Sequence, residues 1–189
     1  MHDLPPLILA SKSPRRQELL RSMGFDFRVV LRDVDESYDT NLAPASVATF
    51  ISEKKARAFD EGLQGEIVIT ADTIVCIDNQ ILGKPEDAEH AFRMLSQLSG
   101  RKHEVITGVS MLKDHRIRSF YDISEVYFTV LTESQINYYI STGMPMDKAG
   151  SYGIQEWIGL IGIEKINGSY TNVVGLPTEK LYKELVALV

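Results

Sequence analysis

The sequence predicts an α/β protein built on a mixed β-sheet with flanking helices. Three observations carry that reading. Apolar runs of strand length alternate with stretches whose apolar residues recur at helical spacing. Some neighbouring strand-like runs are separated by only a hairpin turn, so the sheet cannot be purely parallel. No internal repeat, low-complexity tract or linker interrupts the 189 residues, 44% of them hydrophobic and 24% charged, so the chain reads as one domain over residues 1–189.

Taken in order, PPLILA is a short buried strand. Ser13 then suits an N-cap and Pro14 the first helical position. Leu19, Leu20 and Met23 give this helix an apolar side, and Gly24 closes it. FDFRVV is strand-like and runs into the acidic LRDVDESYD. Pro44 opens a second helix with Val47, Phe50, Ile51, Ala58 and Phe59 on one broad face. EIVITADTIVCID is a strand, and Asp78-Asn79-Gln80 a hairpin turn. A third helix is predicted over 85–98, ended by Gly100. HEVITGVSMLK and the segment 116–131 read as long strands. Thr132-Glu133-Ser134-Gln135 is a capping box before INYYISTG. Residues 157–166 read as strand, and a last helix follows Pro177.

Bulk properties exclude several functions. No segment approaches the roughly 20 apolar residues of a membrane span. MHDLPPLILASKS is too short and acidic for a signal peptide, so a cytoplasmic location is expected. The single cysteine, Cys76, rules out an internal disulfide and reads as a small buried hydrophobe. Asn167-Gly168-Ser169 fits a glycosylation sequon and is read as a turn. A net charge of −6 disfavours a nucleic acid polymer as partner but leaves room for a local basic site that takes a small polyanion. The histidines at 2, 90, 103 and 115 show no metal-ligand spacing.

Several stretches depart from a plain structural pattern. In ASKSPRRQELL a helix starts with Arg15 and Arg16 in its first turn. A helix N-terminus already carries partial positive charge, so each cation there costs roughly 0.3–1 kcal/mol. An anion would explain the pattern. Ser11, Ser13, the unpaired N–H groups of the first turn and the arginines would together cradle a phosphate. On this view, losing either arginine relieves repulsion in the empty protein. The alternative is a solvated basic turn with Ser13 as a simple cap. GKP at 83–85 lacks the Walker A spacing.

Asp72 interrupts the apolar VITADTIVCI. A buried carboxylate needs a partner, a metal or a proton-transfer role. A bulge, with the carboxylate bonded to backbone, is the structural alternative. Residues 33–36, DVDE, add carboxylates of the kind Mg²⁺ and Mn²⁺ use, one or two together with substrate phosphates. A solvated acidic loop remains open. Lys84 precedes a helix in ILGKPEDA. At about 100° per residue, Lys54 falls near the centre of the second helix's apolar face and Lys55 nearer its edge. KAGSYGIQ and NGSYTNVVGLP are glycine-rich loops of the kind that lines sites.

The ordered series ASKSPRRQELL, DVDE, EKKARAF, TADT, ILGKP, LSGRKHEVITGV, DKAGSYGIQ and GSYTNVVGLP resembles the Maf family of nucleoside triphosphate pyrophosphatases, from Leu7 to about Leu185. The resemblance implies an elongated, two-lobed fold of the ITPase type with a deep central cleft. It implies hydrolysis of a nucleoside triphosphate between the α- and β-phosphates, with a divalent metal, Mg²⁺ or Mn²⁺, as cofactor. By motif, Asp72 is the proton acceptor, and Glu36 with Asp72 supplies the metal carboxylates. Arg16, Lys55 and Lys84 are the phosphate-facing cations, so the family pattern selects Lys55 where periodicity selected Lys54. The branch acting on dTTP and UTP carries an Arg, a Thr and a Gln near the base, matched here by Arg15, Thr73 and Gln155. Two positions depart from the family, Glu156 and Thr70, each replacing a usual Gly, and both are expected to reshape the pocket rim. A homodimer is implied by the resemblance alone. A non-catalytic nucleotide-binding regulator and a purine-directed nucleotidase are the competing readings.

Overall fold

A computed structural model describes residues 4–188; His2 of the sequence reading lies outside them. In chain order the elements are β1 (Leu7–Leu9), α1 (Pro14–Ser22), β2 (Phe27–Val29), α2 (Pro44–Arg57), β3 (Ile67–Ile77), β4 (Gln80–Leu82), α3 (Ala88–Leu98), β5 (Lys102–Lys113), β6 (Arg116–Phe128), α4 (Glu133–Ser141), α5 (Trp157–Gly162), β7 (Ile163–Asn167), α6 (Tyr170–Val174) and α7 (Thr178–Val186). The sheet is mixed, in the order β2-β1-β3-β5-β6-β7, with β4 on β3. β1 runs parallel to both β2 and β3, whereas β4 and β7 run antiparallel to β3 and β6. No helix among the described residues is long and apolar enough to cross a membrane.

Residue contacts divide the chain into two compact units. The first holds the chain up to Asp72, Thr107–Asp122 and the stretch from Gly175; the second holds Thr73–Ile106 and Ile123–Val174. β3, β5 and β6 each contribute a part to both.

In the first unit, β1 and the start of β3 are buried between two apolar layers. Leu7, Leu9, Ile67 and Ile69 face Leu20 of α1 and Leu181 and Leu185 of α7. Ile8 and Val68, pointing the other way as strand alternation requires, meet Ala56 and Phe59. This burial on both faces explains the unbroken apolar runs. α2 approaches β5 very closely. A Cβ at Gly108 would lie 2.4 Å from the carbonyl carbon and oxygen of Ala48, so only glycine lets helix backbone rest there. Thr70, fully buried on β3, donates its hydroxyl to Ser52 O of α2 at 2.7 Å. It therefore fastens helix to strand and does not line a pocket rim, contrary to the sequence expectation.

The apolar stripe of α2 also differs from the predicted one. Val47, Ala48, Ile51, Ser52 and Ala56 are buried, while Phe50 is 41% exposed. Phe50 instead lines a groove of about 610 Å³ with Leu42, Thr49, Glu53, Phe120 and Tyr121. Counting Phe50 as inward rotates the predicted stripe away from Lys55.

In the second unit, Val75, Ile77, Leu95, Leu98, Val126, Phe128, Ile136, Tyr139 and Ile158 form the core. Asp78 and Asn79, both with positive φ, make the two-residue turn from β3 to β4. The capping box at Thr132 is present. α3 begins at Ala88, three residues after the predicted start, with Asp87 as its cap. Residues 157–166, expected as strand, split into α5 and β7. Ile158, Gly159 and Gly162 are buried while Leu160 is 76% exposed, a helical pattern that the β-branched composition concealed. α6 was not anticipated. Cys76 is buried, and burial pushes its thiol pKa up, as expected of an inert core residue. Asn167 donates to Glu125, and Gly168, at φ 129°, begins a turn.

His103 of β5 is also buried here. Its Nε2 lies 2.7 Å from the Tyr152 hydroxyl, and its ring packs edge-on against Phe128 and Tyr152. Burial pushes its pKa down to about 4. The folded state therefore binds its proton less readily than the unfolded chain, whose histidine titrates near 6.5. The contribution to stability is complete above pH 6.5 and is lost as pH falls from 6.5 to about 4, in total about 3 kcal/mol. Urea unfolding from pH 7.5 to 4 should show this slope in the wild type and lose it in His103→Gln. A slope that survives the substitution assigns the acid sensitivity to other groups.

Candidate active site

The site starts where β1 gives way to α1. Ser13 caps the helix by accepting from the Arg16 N–H, and Ser11 accepts from the Ser13 N–H at 3.2 Å. Both serine oxygens thus serve local N–H groups, and each hydroxyl retains its own proton to donate. The first turn contains no acid.

Arg16 answers the question of how two cations are tolerated there. Its Nε donates to Gly175 O at 2.8 Å and its Nη1 to Ala71 O at 2.9 Å. Loss of water lowers its pKa; the Asp72 carboxylate opposes this, Arg15 adds to it, and Glu36 opposes it more weakly. A guanidinium stays charged through such a shift. Arg16 therefore has a structural role besides any role toward substrate, and the expectation that its loss relieves the empty protein is overturned. Arg15, half-buried, shares the same turn.

Asp72 follows Ala71 on β3. Its side chain is 14% exposed and accepts from Lys55 Nζ at 2.7 Å. The same ammonium lies 3.0 Å from Glu36 Oε1, which is 58% exposed. One half-buried lysine thus gathers a carboxylate from β3 and another from the loop after β2. Lys55 reaches them because it continues the buried stripe of α2, four residues beyond Ile51 and three beyond Ser52. Lys55, the residue the family pattern selects, is thus the one that meets the two carboxylates. Lys54 turns instead to Asp35, at 3.1 Å, and to Ser37 O. Bonds from the Ser37 side chain and backbone, then Lys54, hold the Asp35 pKa down to about 2.

The first unit therefore brings together Arg16, Glu36, Lys55 and Asp72, with Ser11, Ser13 and Arg15 at the helix start. Thr73, Lys84 and Gln155 belong to the second unit. Thr73 is the next residue of β3; Lys84 is exposed in the loop between β4 and α3; Gln155 is exposed in a turn before α5. None of the predicted site residues lines the groove beside Phe50. Among the described residues no three His, Cys, Asp or Glu side chains form a ready metal cluster. Two hard carboxylates sharing one cation are nonetheless a donor set that fits Mg²⁺, which takes one or two carboxylates and completes its shell with water and substrate oxygens.

Sequence reasoning missed the backbone acceptors of Arg16, because carbonyls leave no residue signature. It also missed Lys148 and Tyr139, which both contact Glu156. The departure from glycine at 156 was the available signal.

The chain matches the family model described as Maf-like protein over residues 6–188. It is 52% identical over 188 residues to a dTTP/UTP pyrophosphatase of Bacteroides thetaiotaomicron, covering 98% of this chain and 97% of the relative. It is 49% identical over 181 residues to a dTTP/UTP pyrophosphatase of Flavobacterium psychrophilum, covering 95% and 93%. Among solved structures it is similar to the Staphylococcus aureus Ham1 protein, at 17% identity and a TM-score of 0.51 over 95% of this chain and 99% of that one. A HAM1 protein from Coxiella burnetii gives 16% and 0.51 over 97% and 100%. At such identities the likeness is one of fold. The fold agrees with the α/β expectation, and with the family pattern matched across residues 6–188 the chain belongs to the Maf-like protein family.

Proposed function

We infer that this chain is a nucleoside triphosphate pyrophosphatase acting on dTTP and UTP, which it hydrolyses to the monophosphate and pyrophosphate. The observation that carries the reading is the Lys55 ammonium shared by Asp72 and Glu36, beside the Arg16 guanidinium. Relatives of nearly equal length named dTTP/UTP pyrophosphatase support the substrate class. A regulator that merely bound nucleotide would need cations but no carboxylate positioned to take a proton. A purine-directed nucleotidase is disfavoured by the same relatives.

In the proposed reaction water cleaves the anhydride between the α- and β-phosphates. Asp72, oriented by its bond from Lys55, takes the proton of the attacking water. Lys55, Lys84 and Arg16 offset the negative charge that grows on the departing pyrophosphate, and Ser11 and Ser13 donate hydroxyls to phosphate oxygens. Glu36 and Asp72 would hold a divalent metal, Mg²⁺ or Mn²⁺, which when bound adds positive charge at the phosphates. Arg15, Thr73 and Gln155 would read the base. We place the enzyme in the cytoplasm with its triphosphate substrates, as a homodimer on the strength of the family resemblance, with no nucleic acid polymer as partner.

Asp72→Asn keeps the size of the side chain but cannot accept the proton. Pyrophosphate release from dTTP should fall by about 10²–10⁴-fold with the melting temperature little changed. A kcat within a few-fold of wild type removes Asp72 from the role of base.

Chelation should abolish turnover of the wild type, and Mg²⁺ or Mn²⁺ should restore it. Full activity in metal-free buffer excludes the metal role of Glu36 and Asp72.

Arg16→Ala should lower turnover of dTTP, UTP and CTP by one common factor. It should also lower stability, since Ala71 O and Gly175 O lose charge-assisted donors worth about 1.5–3 kcal/mol each at most. Arg15→Ala should instead reorder the three substrates. Indistinguishable kinetic profiles for the two variants would defeat this division.

A further inference from the structure

Gln155 sits in a tight turn whose two ends are held by one hydroxyl. The Glu156 N–H donates to Gly153 O at 3.1 Å, which closes a β-turn with Ile154 and Gln155 in the middle. The Gly153 N–H donates to the Tyr139 hydroxyl oxygen at 3.2 Å, and that hydroxyl donates to Glu156 Oε2. First and last residues of the turn are thus linked through the side chain of α4.

Glu156 is fixed from a second side. Lys148, only 7% exposed, lies 2.8 Å from Glu156 Oε1 and pairs also with Asp147, while its Nζ donates to Met144 O. Both carboxylate oxygens of Glu156 are therefore engaged. It stands at the N-cap of α5 yet makes no side-chain cap. Its carboxylate lies over Gly153 instead, where a Cβ would meet its Cδ at 2.7 Å. The other face of the turn is equally close to α5, since a Cβ at Gly159 would lie 2.1 Å from Ile154 O. Burial, then the bond to Glu156, raises the Tyr139 pKa far above its ordinary value, so the hydroxyl keeps its proton and remains a donor. Gln155 is the exposed residue of a turn in which Gly153 and Ile154 are buried and Glu156 is half-buried with both carboxylate oxygens engaged.

Such an arrangement is costly unless it is complete. A buried ammonium, two carboxylates and a phenol remain together because each is satisfied, and removing one leaves another unpaired. A polar side chain discriminates between ligands well only when its backbone cannot shift to suit the wrong one.

We propose that Tyr139, Glu156 and Lys148 form a buried brace that fixes the turn carrying Gln155 and so sets the enzyme's discrimination between pyrimidine and purine triphosphates. These are positioning residues acting through Gln155. The proposal rests on the base-reading role assigned to Gln155 above.

The test measures kcat/KM for dTTP, UTP, dATP and dGTP by pyrophosphate release, with thermal melts to establish folding. The variants are Gln155→Ala, Tyr139→Phe, Glu156→Gln, and each of the last two combined with Gln155→Ala. Tyr139→Phe should lower the pyrimidine-to-purine ratio by about tenfold, the size of one net hydrogen bond. Glu156→Gln should lower it by a similar factor, because an amide has one oxygen: if that oxygen accepts from Tyr139, the NH2 group faces the Lys148 ammonium and the bond there is lost. Neither should lower the ratio further once Gln155 is Ala. A merely structural role would depress all four substrates together and leave the ratio unmoved. Should Tyr139→Phe fail to fold, Glu156→Gln is judged by the same criteria. If Gln155→Ala lowers the ratio but folded brace variants do not, the brace is refuted and the base-reading role stands. An equal loss with and without Gln155 also refutes it. If Gln155→Ala leaves the ratio unchanged, the base-reading role itself fails.

Discussion

The Arg16 guanidinium is the interaction around which the first unit is arranged. Its bonds to Ala71 O and Gly175 O tie the start of α1 to β3, one residue before Asp72, and to the approach to α7. A charge with little water around it must be compensated locally. Here two carbonyl dipoles do so directly, with Asp72 and Glu36 contributing through space. The unfavourable placement of a cation at a helix N-terminus is thereby offset, and the same bonds fix the backbone that carries the carboxylate.

Lys55 extends this logic from a different element. It lies where the buried stripe of α2 would otherwise continue, and its ammonium meets the two carboxylates at the end of an aliphatic stem. Neither Asp72 nor Glu36 has to stand near the other without a cation between them. In the second unit the same principle recurs with a different composition, as Lys148 pairs with Asp147 and Glu156. In both places one lysine is shared by two carboxylates.

How much of this could be read from the chain depends on what kind of group makes each contact. The capping box at Thr132, the cap at Ser13 and the turn at Asp78-Asn79 were legible because local chemistry fixes them within a few residues. Helix α5 was not, because Ile and Trp content favours strand while the decisive close approach of Gly159 to Ile154 O is tertiary. The site motifs were legible as odd residues in apolar or glycine-rich surroundings. The roles proposed for them rest on the order in which they occur together. Periodicity misplaces Lys55 because it counts Phe50 as inward, though Phe50 lies in an open groove. Thr70 departs from a usual glycine and so suggests a rim residue, whereas its hydroxyl is a clasp between strand and helix.

The glycine at 108 sets how closely the helix that carries Lys55 lies on the sheet. Elsewhere, packed helices slide over neighbours on a cushion of side chains whose rotamers absorb small shears. α2 has no such cushion where Ala48 meets β5, because backbone rests on backbone there. Any shift of the helix along the strand would press carbonyl against main chain. Lys55 is therefore carried on an anvil, while Glu36 rides on a segment without regular structure between β2 and α2. The lysine is thus held by a contact that leaves no slack, whereas the carboxylate it meets stands on a stretch of chain with no helix or strand of its own.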